Sequence, residues 1–139
     1  MCASQYQNPI PALGPESLAH FKREDFACPC CGENKISRDL VEKLERVRNV
    51  YYRAPLIVSS GYRCAKHEAE VGGTGANHPL GLAVDLTGPG NTKIIGADLM
   101  FLIIGLHAVG VSRIVLYRAK RHLHADINPS GPDGVFIEE

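Results

Sequence analysis

Hydrophobic and polar positions follow two different periods along this chain, and these periods predict helices and strands. Apolar residues recur at helical spacing from Leu40 to about residue 52, behind Ser37, a residue type that caps helix N-termini. A longer apolar stretch that starts at residue 91 or 92 and runs to about 109 predicts another helix, which Gly110 would end. A shorter helix is expected over 65–71.

Four segments of shorter period are predicted to be strands. They cover residues 56–59, 82–87, 112–117 and 121–128, and the tail after residue 128 is rich in turn residues with one last apolar run. This order of helices and strands predicts an α+β fold with a small, mostly antiparallel sheet.

Length and composition fit one globular domain. A chain of 139 residues is too short for two well-cored domains. We expect an irregular arm over residues 1–15, which contain three prolines and a glycine, and a single domain over 16–139. The formal net charge is zero, which argues against nucleic-acid binding. The longest apolar run is too short to cross a bilayer, and no secretory signal is visible.

One face of the predicted sheet carries imidazoles and carboxylates. His122, His124 and Asp126 alternate with apolar residues and therefore share a face of the last predicted strand. Asp85 lies opposite the aliphatic residues of the second strand in the same way. If these strands are neighbours, the four side chains converge. Such groups are costly to bury without partners.

A metal ion is the partner that these residue types favour. His78 stands in a glycine-rich loop seven residues before Asp85, so the loop can fold back towards the strand. With His124, they form a set of two imidazoles and one carboxylate, which suits tetrahedral Zn²⁺ with one position left for water. Taken alone, either histidine is explained as a solvated side chain, and Asp85 is explained as a cap of the turn that follows it. Their combination favours the metal.

Four motifs occur in order along the chain: SSGYR at 59–63, VGG at 71–73, NHPLGLAVD at 77–85 and HLHAD at 122–126. Together they resemble the zinc D-Ala-D-Ala carboxypeptidase family, which includes phage L-alanyl-D-glutamate and other murein peptidases and shares its fold with the hedgehog signalling domain. The resemblance covers about residues 16–128 and departs at Asn77, where the family usually has serine. It implies helices on one face of the sheet and a zinc cleft on the other.

The resemblance also implies roles for individual residues. His78, Asp85 and His124 would bind one catalytic Zn²⁺. Arg63 would bind a substrate carboxylate or carbonyl, a role that suits the fork geometry of a guanidinium group. His122, two residues before the last ligand, would stabilise the transition state.

The general base is less clear from the sequence. Many family members have an acid three residues before the last zinc ligand, and here that position holds Arg121, which cannot accept a proton. Asp126, on the same strand face as that ligand, is the predicted substitute, and Glu68 and Glu70 are alternatives. Asp126 can instead orient one of the neighbouring histidines.

The chain has five cysteines, three of them within residues 28–31. Because no secretory signal is visible, reduced free thiols are the default expectation. The alternative is a second, structural Zn²⁺ at Cys28, Cys31 and Cys64. Candidates for its fourth ligand are Cys30, His67 and His20.

The sequence therefore predicts a zinc metallopeptidase that hydrolyses amide bonds in peptidoglycan stem peptides or cross-links, as an endolysin-like enzyme or a D,D-carboxypeptidase or endopeptidase. The alternative, motivated by Arg121, is a catalytically silent zinc-binding domain of a virion or interaction protein. We expect a monomer without a membrane span or a nucleic-acid partner. It would be cytoplasmic, or phage-encoded and released to the cell wall.

Overall fold

A five-stranded sheet organises the computed structural model, which describes residues 19–73 and 75–139. The strands are β1 (Ile57–Ser60), β2 (Ala83–Thr87), β3 (Arg113–Tyr117), β4 (Leu123–Asp126) and β5 (Gly134–Glu138). They lie in the order β1-β2-β4-β3-β5, and all neighbours are antiparallel except β3 and β5. The predicted α+β class is confirmed. The arm predicted over residues 1–15 lies outside the described residues.

The parallel edge strand β5 was not predicted from the sequence. Its side chains show no alternation between buried and exposed positions, and Val135 and Ile137 are exposed. A strand that buries neither face lacks the period-two pattern by which strands are recognised. The last apolar run of the turn-rich tail forms this strand, Gly134–Glu138.

Within the described residues, three α-helices accompany the sheet: α1 (Arg38–Arg46), α2 (Ala65–Glu70) and α3 (Gly96–Ala108). Ser37 caps α1 as predicted, since its hydroxyl accepts a hydrogen bond from the Leu40 N–H at 3.4 Å. A π-helical turn at Val47–Tyr51 continues α1. No helix in the described part of the chain is both long and apolar enough to cross a membrane.

Helix α3 begins at Gly96 rather than at residue 91 or 92. Gly90 and Asn91 both have positive φ, 68° and 58°, which takes the backbone out of the right-handed helical region. Gly88 and Thr92 then pair in an isolated β-bridge, so the chain turns once before the helix starts.

Helices α1 and α3 cover one face of the sheet and form the core with it. The core includes Leu40 and Leu44 from α1, Leu102 and Leu106 from α3, and Val84, Leu86, Leu123 and Ala125 from the sheet. Helix α2 is polar in sequence, and none of its residues belongs to this core as far as the chain is described. The predicted arrangement of helices on one face therefore holds for α1 and α3 only.

A buried carboxylate on α1 binds the backbone of the segment at residues 20–21. Glu45 of α1 is fully buried and accepts hydrogen bonds from the backbone N–H groups of His20, at 2.9 Å, and Phe21, at 3.3 Å. The imidazole of His20 also contacts this carboxylate. His20 is thus engaged with α1 and not with the cysteines.

Gly81 joins the loop that carries His78 to the N-terminus of α1. Its φ is +74°, and an added Cβ would lie 1.9 Å from the carbonyl oxygen of Lys35. We expect Gly81→Ala to lower the free energy of unfolding by about 3 kcal/mol, through left-handed strain of about 1–2 kcal/mol and overpacking of similar size. Gly72→Ala is the matched control, since its φ is +77° with open space around it. Equal losses for both in urea unfolding would contradict the steric argument.

Candidate metal centre

The pairing of β2 with β4 brings the polar residues of the two strands together. Asp85 lies directly opposite His124, and Ala83 lies opposite Asp126. The strands are neighbours, as the convergence of these side chains requires. His122 precedes β4, and its Nε2 lies 3.8 Å from Oδ2 of Asp85.

His78 reaches the same place from the loop between α2 and β2. Its Nδ1 donates a hydrogen bond to the Gly61 carbonyl at 2.7 Å, which leaves Nε2 to face Asp85. Nε2 is buried and has no hydrogen-bond partner among the described residues. Buried polar atoms almost always have a hydrogen-bond partner, so the unpartnered Nε2 indicates that this nitrogen binds something other than a protein group.

The spacing of the donor atoms fits a zinc ion. Oδ1 of Asp85 lies 3.4 Å from Nε2 of His78 and 3.5 Å from Nδ1 of His124. Tetrahedral Zn²⁺ with bonds near 2.0–2.1 Å would hold two such donors about 3.4 Å apart. All three residues are buried, and their donor atoms lie within 4.8 Å of one another. These side chains can therefore hold one divalent cation.

Charge in the site favours a bound cation. Burial raises the pKa of Asp85, but the imidazoles of His124, His78 and His122 beside it outweigh this effect and hold the pKa well below its usual range. Burial lowers the pKa of His124, while Asp126 and Asp85 raise it above the ordinary value. Asp85 and Asp126 therefore both stabilise positive charge in this site, such as the charge of a bound metal ion.

Asp126 lies behind His124 rather than on the cleft. Its side chain is fully buried, and Oδ2 accepts hydrogen bonds from His124 Nε2 at 2.7 Å and Asn77 Nδ2 at 3.1 Å. Oδ1 accepts a hydrogen bond from the Asn128 N–H at 3.3 Å. Of the two roles predicted for Asp126, this position favours the orientation of His124 over proton transfer. Asn77, the departure from the family pattern, contributes to that support.

The three candidate metal ligands open onto a cleft of about 560 Å³. Its other lining side chains include Arg63, Glu68, Arg113, Tyr117, Lys120, His122 and Glu138. Sequence reasoning missed Arg113 and Tyr117, although they share strand parity with Val115, which pairs with His124. Knowledge that β3 neighbours β4 would have placed them on this face.

His122 is held against Tyr117 at the edge of the cleft. The two rings meet edge to face with centroids 5.2 Å apart. Burial lowers the pKa of His122; Asp85 opposes this shift, and Lys120, Arg63 and His124 add to it. The lowered pKa favours the neutral imidazole, which keeps one N–H that can donate a hydrogen bond.

Arg63 connects the carboxylate of Glu68 to that of Asp85, a candidate metal ligand. Its Nε donates to Glu68 at 2.6 Å, and Nη1 donates to Asp85 at 3.4 Å and to the Ser60 hydroxyl at 3.2 Å. Nη2 makes no hydrogen bond within the described part of the chain. Because Arg63 lines the cleft, its guanidinium can contact a ligand there.

Glu70, an alternative considered for proton transfer, and Arg121 both lie away from the cleft. Glu70 pairs with Lys66 and His67 on the surface of α2. Arg121, which occupies the position of the usual acid, is exposed and does not line the cleft. Of the acids predicted as alternatives to Asp126, Glu68 is the one that lines the cleft.

A comparison with known families agrees with these motifs. The sequence model of a family described as Peptidase M15 matches residues 19–126. A search of curated proteins returned no match. The matched range contains all three metal-binding candidates as well as Arg63 and Asp126, and it confirms the resemblance to zinc D-Ala-D-Ala carboxypeptidases. The chain belongs to the Peptidase M15 family.

Proposed function

We propose that this protein is a zinc metallopeptidase that hydrolyses amide bonds in peptidoglycan stem peptides or cross-links. The observation that carries the proposal is the buried Nε2 of His78, which has no hydrogen-bond partner among the described residues and lies 3.4 Å from Asp85 at the floor of an open cleft. Membership of the Peptidase M15 family supports the reaction class.

Three side chains would hold the metal, and a fourth fixes one of them. Nε2 of His78, Oδ1 of Asp85 and Nδ1 of His124 are the donor atoms. Because His124 donates through Nε2 to Asp126, its Nδ1 carries the lone pair that a metal needs. Zn²⁺ bound there would lower the pKa of a coordinated water molecule and polarise the carbonyl of the scissile amide.

Glu68 is the residue to which we assign proton transfer. It would accept a proton from the attacking water and return it to the leaving amine. Its side chain is only 9% exposed, lines the cleft and is linked through Arg63 to Asp85. Asp126, the earlier prediction for this role, is enclosed by hydrogen-bond donors and faces away from the cleft.

His122 and Arg63 would bind the reacting group and the peptide. The neutral imidazole of His122 would donate a hydrogen bond to the oxyanion that develops on the carbonyl oxygen. Nη2 of Arg63 would bind a carbonyl or terminal carboxylate of the substrate. Lys120 extends over the Tyr117 ring, 4.3 Å from its centroid, and adds a second cation at the mouth of the cleft. Two cations suit a substrate that carries carboxylates.

Replacement of Arg63 by lysine tests the predicted substrate contact. Lysine keeps the charge but cannot hold Glu68, Asp85 and a ligand at once, so we expect kcat/KM to fall about 10- to 100-fold, as for a lost charge-assisted hydrogen bond. Arg118→Lys, on an exposed residue that pairs with Glu139, is the control. An unchanged kcat/KM for Arg63→Lys would remove this residue from substrate binding.

The test of the proposed function is digestion of purified sacculi and synthetic stem peptides by zinc-loaded protein. Mass spectrometry of the released fragments identifies the cleaved bond. We expect new amine and carboxyl ends, their loss with a chelator, and their return when Zn²⁺ is added back. A zinc-loaded protein that cleaves none of these substrates would instead support the catalytically silent domain.

A further inference from the structure

Thiols from two distant segments meet beside the cleft. The sulfur atoms of Cys28, Cys31 and Cys64 lie within 4.8 Å of one another. Cys28 is 1% exposed, and its Sγ lies 3.7 Å from that of Cys64, which is 36 residues away in sequence. The fold therefore assembles a thiol cluster that neither segment could form alone.

The first segment is a tight turn wrapped around one sulfur. Gly32, with φ of +77°, donates its N–H to the Cys28 carbonyl at 2.8 Å and closes the turn. The Cys28 sulfur is buried and faces the backbone N–H groups of Cys64, Cys31 and Cys30, the first of them at 3.5 Å. Several N–H groups directed at a sulfur are the arrangement that a thiolate requires.

The second segment presents its sulfur at the start of α2. Cys64 is the N-cap residue, and its Sγ accepts a hydrogen bond from the His67 N–H at 3.4 Å. The spacing from Cys64 to His67 equals that from Cys28 to Cys31. Pairs of ligands with two residues between them are typical of structural zinc sites.

We propose that Cys28, Cys31, Cys64 and His67 bind a second, structural Zn²⁺. Tetrahedral zinc with bonds of about 2.3 Å to sulfur would hold two thiolates about 3.8 Å apart, close to the spacing of Cys28 and Cys64. The thiol protons are released when the metal binds. His67 borders Cys30 and Glu70, and its side chain would turn from Glu70 to complete the site.

The site would stabilise the residues that we place in the catalytic cleft. A metal here joins the turn at 28–31 to the first turn of α2; Arg63 lies just before that turn and Glu68 lies within it. The cross-link closes a long loop, which is the case in which a metal clip contributes most to stability. The second zinc therefore acts on the position of both side chains without touching the first metal site.

Metal analysis with zinc and cobalt tests this proposal on the whole protein. We expect two Zn²⁺ per chain, and a strong thiolate-to-cobalt charge-transfer absorption when Co²⁺ replaces Zn²⁺. His124→Ala should keep that absorption and one metal. Cys64→Ser should lose the absorption and keep the metal at the cleft. Because these readouts require no hydrolysis, they test the second metal site independently of the proposed peptidase activity.

The matched control is Cys30→Ser, an exposed cysteine of the same turn outside the proposed ligand set. It should retain two metals, whereas His67→Ala should weaken the second. Alkylation of the wild-type protein provides a measurement that needs no variant: Cys28, Cys31 and Cys64 should be protected until a chelator is added. One metal per chain without thiolate absorption, protection that only a reductant removes, or loss of the second metal in Cys30→Ser would overturn the proposal.

Discussion

Replacement of His124 by alanine is expected to remove Zn²⁺ from the cleft and to abolish amide hydrolysis. The variant leaves two of the three proposed metal ligands and removes the imidazole partner of the buried Asp126 carboxylate. We expect kcat/KM to fall by more than about 1000-fold, beyond the 10- to 100-fold typical of a residue that only supports a ligand. Metal analysis and hydrolysis of the same stem peptide measure both effects.

His107→Ala is the matched control for this variant. His107 lies on the exposed side of α3, in the helix that packs on the opposite face of the sheet. It should keep the metal content and the activity of the wild type. Hydrolysis by folded His124→Ala at the wild-type rate would exclude the assigned metal centre.

The second large effect is expected from Glu68→Gln. The amide keeps the shape of the side chain but cannot accept a proton, so kcat should fall about 100- to 10,000-fold while zinc content is unchanged. Asp126→Asn should behave differently, because Asp126 supports His124. We expect it to weaken zinc affinity about 10- to 100-fold, and to recover activity in excess Zn²⁺.

Glu70→Gln controls for the loss of an acid from α2, since Glu70 lies on the helix surface. It should leave kcat unchanged. If Asp126→Asn lost kcat at saturating zinc while Glu68→Gln kept it, the proton-transfer role would return to Asp126, as the sequence alone suggested.

The polar face of the sheet was accessible from the sequence because strand parity is a local property. His122, His124 and Asp126 share a face in any strand that covers them, and an antiparallel neighbour with Asp85 completes the group. Strand parity does not show how deeply a side chain is buried, however. Asp126 ends β4 beneath Asn77 and Arg113, and only the folded chain shows that its carboxylate is enclosed.

Contacts between distant segments were the part that the sequence could not supply. Glu68 lines the cleft together with residues of β3 and β4 such as Arg113 and His124, which lie more than 40 residues away in sequence. The approach of Cys64 to Cys28 likewise depends on the packing of two segments 36 residues apart. Neither contact leaves a periodic signal, so both residues were only alternatives in the sequence-based interpretation.

Anomalous diffraction on both sides of the zinc absorption edge, from crystals grown without chelator, tests the central claim most directly. The account predicts a peak about 2.0–2.2 Å from Nε2 of His78, Oδ1 of Asp85 and Nδ1 of His124. Density for those three side chains with no anomalous peak between them would contradict it.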